Sequence, residues 1–254
     1  VSSRRPGWKD SLRGIWGEHG AWAVVLSCYA AGLIVVWPPK IASLLLLPAI
    51  VLLTGGKGLA QEVRRTGRGW TWLVLFGLMG GVCALPTALA APWGFLAAAC
   101  LSLPFLGVYF LMAGSPRLTR SLVVELYGTA LLGTVSGLAY LGTRPASLRE
   151  AALTWPLFTC LFLPGVLRAR LPKAPSPLLR SACIVLAAAG AGLIACYCLI
   201  GRLAPWGAFA GLVLLEDIRG ALVIPRWTTR RLGMILTFKN AFACLVLAAS
   251  WLAA

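Results

Sequence analysis

Nine mainly apolar stretches set the limits on what this chain can fold into. They run near 21–38, 40–55, 70–89, 93–113, 121–141, 151–167, 180–200, 205–224 and 235–253. Each approaches the about 20 residues that a helix needs to cross a hydrocarbon core about 30 Å thick. The hydrophobic share is 59% and the charged share 12%, where soluble chains carry about 25% charged residues. A single water-facing globule and a disordered chain are both excluded by that balance. The expected fold is all-α, a polytopic transmembrane bundle of about nine helices. Pro38 and Pro39 leave almost no loop before the second span, which predicts a tight hairpin. Pro156 and Pro164 remove helix hydrogen bonds in the sixth and predict kinks or short breaks there.

The distribution of charge tests the same reading. The chain has 23 Lys and Arg against 7 Asp and Glu, a net charge of +16. With nine crossings and a cytoplasmic N-terminus, the inner segments 1–20, 56–69, 114–120, 168–180 and 219–231 hold 18 of those 23 cations. Lys40, Arg144, Arg149 and Arg202 lie in the outer segments, and Lys239 near the start of the last span. Such asymmetry is what the positive-inside rule produces, so the C-terminus is expected on the outer side. The charge then faces anionic lipid headgroups. Nucleic acid is not an expected partner, because no folded domain presents these residues. Segment 1–20 reads as a cytoplasmic basic arm and 21–254 as one transmembrane domain. The arm leads into a run followed by further spans, as expected of a first membrane helix rather than a cleavable signal.

Three polar groups need an explanation. Glu18 and His19 open the first span. They serve either as a helix cap and interfacial anchor, or as an acid–base pair or ligand site at the cytoplasmic mouth of a cavity. His19 is the sole histidine, so it can supply one axial ligand to a haem or chlorin and no multi-histidine metal site. Glu125 lies about one turn into the fifth span, where an ionisable group should face protein; Arg117 and Arg120 just before it can neutralise it. The third group is Glu216-Asp217-Ile218-Arg219-Gly220 at the end of the eighth span. Two carboxylates that close to arginines predict an intramembrane ion network. Glu216 and Gly220 share a helix face, while Asp217 and Arg219 diverge. Lys239 can join the network or snorkel to the headgroups.

On the inner side, Thr54-Gly55-Gly56-Lys57-Gly58 reads as a glycine-rich loop. It lacks the spacing of a nucleotide-binding P-loop, though its amides can bind an anion. Lys57, Arg64, Arg65, Arg168, Arg170, Arg230 and Arg231 are the candidate anion or headgroup contacts. The eight cysteines are scattered in apolar runs and behave as small hydrophobes. No motif names a catalytic residue or a metal site. Ala91-Pro92-Trp93-Gly94 and Ala204-Pro205-Trp206-Gly207 both open spans at the outer face, where Pro suits a first turn and Trp the headgroup level.

The string Glu18-His19-Gly20-Ala21-Trp22 resembles the signature of the bacterial YwiC-like membrane protein family. Glu125-Leu126-Tyr127-Gly128, Arg168-Ala169-Arg170 and Arg230-Arg231-Leu232-Gly233 agree with it. The resemblance extends over nearly the whole chain and implies a bacterial inner-membrane protein. Leu236-Thr237 stands where it implies an acidic residue. The nine-span plan also resembles, more distantly, the UbiA-type prenyltransferases, which hold Mg²⁺ and an isoprenoid diphosphate between two aspartate-rich motifs. Here the segments after the second and sixth spans offer Lys57, Gln61 and Glu62, then Arg168, Arg170 and Lys173, with no aspartate. Mg²⁺ chemistry is therefore disfavoured.

Three functions remain in view. The first is an accessory or structural subunit of a larger membrane complex that binds lipid, quinone or pigment. The second is a divergent UbiA-like lipid-modifying or prenyltransferase enzyme, and the third a small-molecule transporter. The expected partners are membrane lipids and other membrane-protein subunits.

Overall fold

The computed structural model describes residues 19–67, 69–112, 121–223 and 229–254. Among these, the side chains at 19, 20, 53, 54, 57, 58, 61, 62, 64–66, 109–112, 229 and 230 lie outside the description. The described residues form α1 His19–Val35, α2 Ile41–Thr66, α3 Trp70–Ala90, α4 Pro92–Met112, α5 Leu122–Thr143, α6 Leu148–Thr159, α7 Leu163–Arg170, α8 Pro177–Leu199, α9 Phe209–Leu222 and α10 Thr229–Leu252. A 3₁₀ turn, Pro205–Ala208, leads into α9. Because α6 and α7 are halves of one broken rod, the described residues form nine rods, which correspond to the nine apolar stretches. Among the described residues, five stretches are long and apolar enough to cross a membrane: Trp70–Ala90, Leu122–Thr143, Leu148–Arg170, Pro177–Leu199 and Arg231–Leu252. This is a polytopic membrane protein.

The break between α6 and α7 has a local cause. Pro164, in the first turn of α7, has no N–H to give the carbonyl of Cys160 four residues earlier. The chain instead closes a tighter turn, with Phe162 N donating to Thr159 O at 3.0 Å. Leu157, Phe158 and Leu161 are fully buried around it, so the interruption is sheltered by protein.

The second span departs from expectation. Thr54–Gly58 is not a loop: α2 runs through it to Thr66, so its amides are engaged in the helix and cannot form an anion nest. Packing supplies the reason, since α2 lies along α3 and tertiary contact overrides the weak helix preference of glycine. The turn comes at Gly67, in the left-handed region at φ 68° with its N–H donating to Val63 O at 2.7 Å. Only glycine adopts that geometry without strain.

Tertiary contacts sort the helix termini into two ends. At one, Lys40 N donates to Thr143 Oγ1 at 3.1 Å and Ser43 Oγ to Ala139 O at 2.8 Å, tying the start of α2 to α5. Arg202 and Glu150 pair there at 2.7 Å, and Ser250 Oγ donates to Ala204 O at 2.9 Å. Both Ala-Pro-Trp-Gly stretches also fall at this end, opening α4 and the turn before α9. The opposite end holds the start of α5, the end of α7 and the end of α9. This is the grouping of loops that the alternation of charge requires. The main core joins α1, α5, α6, α8, α9 and α10 through Cys28, Tyr140, Phe158, Ile194, Leu214 and Leu247, among others.

Candidate functional site: a charged junction between helices

The charged junction begins with a short helix. In α7, Leu167 and Leu171 are both buried, which draws the helix into the bundle and carries Arg168 with it. Arg168 and Arg170 are two residues apart, about 200° around the helix axis, so they leave on nearly opposite sides. Each meets a different partner.

Arg168 turns toward α9 and is 2% exposed. Its Nη2 donates to Glu216 Oε1 at 2.9 Å, its Nη1 to Asp217 Oδ1 at 3.0 Å, and Nη1 also contacts Glu216 Oε2. From α10, Lys239 Nζ donates to Val213 O at 3.2 Å, to Glu216 Oε2 at 3.4 Å and to Asp217 Oδ1. Two cations and two carboxylates thus close a formally neutral cluster. Asp217 is fully buried, and the Glu216 side chain keeps 33% of its exposure. Neutrality and dense hydrogen bonding are what a low-dielectric interior demands of charge.

The guanidinium lies flat on Gly220, one turn after Glu216. A Cβ there would fall 2.2 Å from Arg168 Cζ, so any side chain would displace the arginine. Arg219, two positions beyond Asp217, points outward with its side chain 78% exposed and only 3.6 Å from Glu216 Oε1.

Arg170 turns the other way, to α5. Its Nε and Nη2 hold Glu125 Oε2 and Oε1 at 2.9 and 2.8 Å, a two-pronged pair. Both side chains are about one-third exposed. Arg117 and Arg120, the neighbours expected to neutralise Glu125, lie outside the described residues. The carboxylate is held instead by an arginine 45 residues away.

The junction therefore gathers Glu216, Asp217, Arg168 and Lys239, while Glu125 and Arg170 form a separate clip. Arg168 and Arg170, expected as headgroup contacts, both engage carboxylates, and Arg168 does so away from the surface. Arg231 is exposed near the start of α10. Glu18 lies outside the described residues, as do the side chains of His19, Lys57, Arg64, Arg65 and Arg230.

Sequence reasoning missed the Arg202–Glu150 pair, although Glu150 is an acid close to the few outer cations. It placed Gly220 on the face of Glu216 but did not foresee that the Arg168 guanidinium lies against it. No group of three or more His, Cys, Asp or Glu side chains suited to a metal ion occurs among the described residues.

No curated protein and no solved structure matches this chain. A family model described as YwiC-like protein matches residues 16–140, just under half of the chain, so the similarity to that family covers less than the nearly whole-chain resemblance expected from the sequence.

Proposed function

We propose that this protein is a non-catalytic subunit of a larger assembly in the bacterial inner membrane, docking another membrane protein through the outward face of α3. The observation that carries the reading is the state of that helix. Gly77 and Gly81, four residues apart, have nothing within 4 Å of the position a Cβ would take. Exposed Trp70, Val74, Leu78 and Leu85 flank them. Small residues at this spacing let two helix backbones approach within a membrane, where close packing drives association.

The junction supports the same reading. Glu216 and Asp217 are neutralised by Arg168 and Lys239, which leaves little net negative charge to hold Mg²⁺ and, through it, a diphosphate. This weighs against the UbiA-like prenyltransferase alternative. A carboxylate locked between two cations is also a poor carrier site, which weighs against transport. A lipid, quinone or pigment belongs to the proposal as a bound molecule. Pro205, Ala208, Phe209 and Leu212 line an apolar groove suited to an acyl or isoprenoid tail.

Native mass spectrometry after gentle extraction from the source membrane tests the proposal. The expected result is a hetero-complex of fixed stoichiometry, lost in the Gly77→Leu/Gly81→Leu variant while that variant keeps the unfolding temperature of the parent chain. A lone chain carrying one isoprenoid or phospholipid, and converting it, would overturn the proposal in favour of the enzyme.

A further inference from the structure

Three buried side chains where α7, α9 and α10 meet, Arg168, Asp217 and Asn240, each have a polar atom without the partner that burial requires. Asp217, fully buried, presents Oδ1 to both Arg168 Nη1 and Lys239 Nζ, but its Oδ2 has no hydrogen-bond partner. Asn240 follows Lys239 on α10 and is 3% exposed. Its Oδ1 is likewise without a partner among the described residues. Buried polar atoms are paired in the great majority of cases, and each exception asks for a cause.

One protein donor at the junction is also unused: Arg168 Nε is buried without a hydrogen-bond partner among the described residues, so a molecule that both donates and accepts would serve all three atoms. Lys239 Nζ makes three contacts, all that an ammonium can offer. Cys183 Sγ points at Pro164 O at 3.5 Å. The Arg168 Nε lies over Gly220, at 2.3 Å from the position of an added Cβ. What Oδ2 and the Asn240 carbonyl both lack is a donor.

We infer that the α7–α9–α10 junction is a binding site for a small neutral hydrogen-bond donor, a water molecule, held by Asp217 Oδ2 and Asn240. Charge argues for a neutral occupant. Arg168 and Lys239 already balance Glu216 and Asp217, so an added metal ion would leave a net positive cluster inside the bundle. Gly165, one turn before Arg168 on α7, lets the Asn240 amide lie close against that helix. A Cβ at Gly165 would stand 3.3 Å from Asn240 Nδ2, tighter than an ordinary contact. Internal waters occupy sites of this kind, typically making about three hydrogen bonds to buried groups that lack other partners.

An electron cryo-microscopy map of the full chain in a lipid nanodisc, fine enough to resolve ordered water, tests the inference. The expected result is a peak within hydrogen-bond distance of both Asp217 Oδ2 and the Asn240 amide. A direct Asn240–Asp217 hydrogen bond, or an empty space between them, overturns it. Infrared difference spectra of the same protein and of Asp217→Asn distinguish the remaining source of a donor. No carboxylic-acid carbonyl band should be lost on substitution. A band that disappears in Asp217→Asn would show that the acid carries its own proton at Oδ2, and the water assignment would fail.

Discussion

Gly220 and Arg168 show how one missing methyl group can hold an ion network in place. Gly220→Ala puts a carbon at 2.2 Å from the guanidinium carbon, so either the arginine or α9 must shift. Overpacking of this kind costs about 1–3 kcal/mol, and the arginine cannot leave without stranding two carboxylates. Equilibrium unfolding in mild detergent should show that loss for Gly220→Ala. Removing the guanidinium outright should cost more. Arg168→Met leaves buried Asp217 with Lys239 alone and Glu216 with Lys239 and the exposed Arg219, and breaking a buried pair costs about 3–5 kcal/mol. A loss below about 1 kcal/mol would mean that the cluster is open to water and contributes little. At this scale the sequence was partly legible. Glu216, Asp217 and the need for arginines could be read from intramembrane charge. The identity of the arginine could not, because Arg168 arrives from 48 residues away, and proximity in sequence favours nearer cations.

Among the elements, α7 connects α5 on one side with α9 and α10 on the other, and the two connections differ in strength. The Glu125–Arg170 clip is about one-third exposed on both sides, where screening and side-chain entropy leave a pair worth about 0–1 kcal/mol. Glu125→Gln should therefore lower stability by no more than about 1 kcal/mol in the unfolding measurement that registers Arg168→Met strongly. Equal losses would contradict the division into one cluster built on the buried Arg168 and Asp217 and one surface clip. Helix existence was highly legible, since nine apolar runs became nine rods and the paired prolines marked the break after Thr159. The continuation of α2 through Gly55, Gly56 and Gly58 was not. Glycine signals a loop by its intrinsic preference, and only the packing of α2 along α3 decides otherwise.

For the molecule as a whole, the same alternation that divides the cations by loop divides the helix termini into two ends, one carrying Lys40, Thr143 and Arg202 and the other Glu125, Arg170 and Arg219. The proposed orientation puts the second end in the cytoplasm. A thiol introduced as Arg219→Cys should then react with a membrane-impermeant reagent in inverted vesicles but not in intact cells. The reverse pattern would invert the topology. Partner identity was not legible at any level, because an exposed apolar helix face looks alike in sequence whether lipid or protein covers it. Gly77 and Gly81 support the proposed protein contact because, among the described residues, no helix fills the space beside them.

The most direct test of the subunit reading is site-specific photocrosslinking in the source membrane. A photoreactive side chain at Gly81 is compared with one at Val185, an equally outward position on α8. The account predicts one discrete protein adduct from position 81, of the same mass as the partner in the native complex, and only lipid adducts from position 185. Lipid adducts alone from both positions would contradict it.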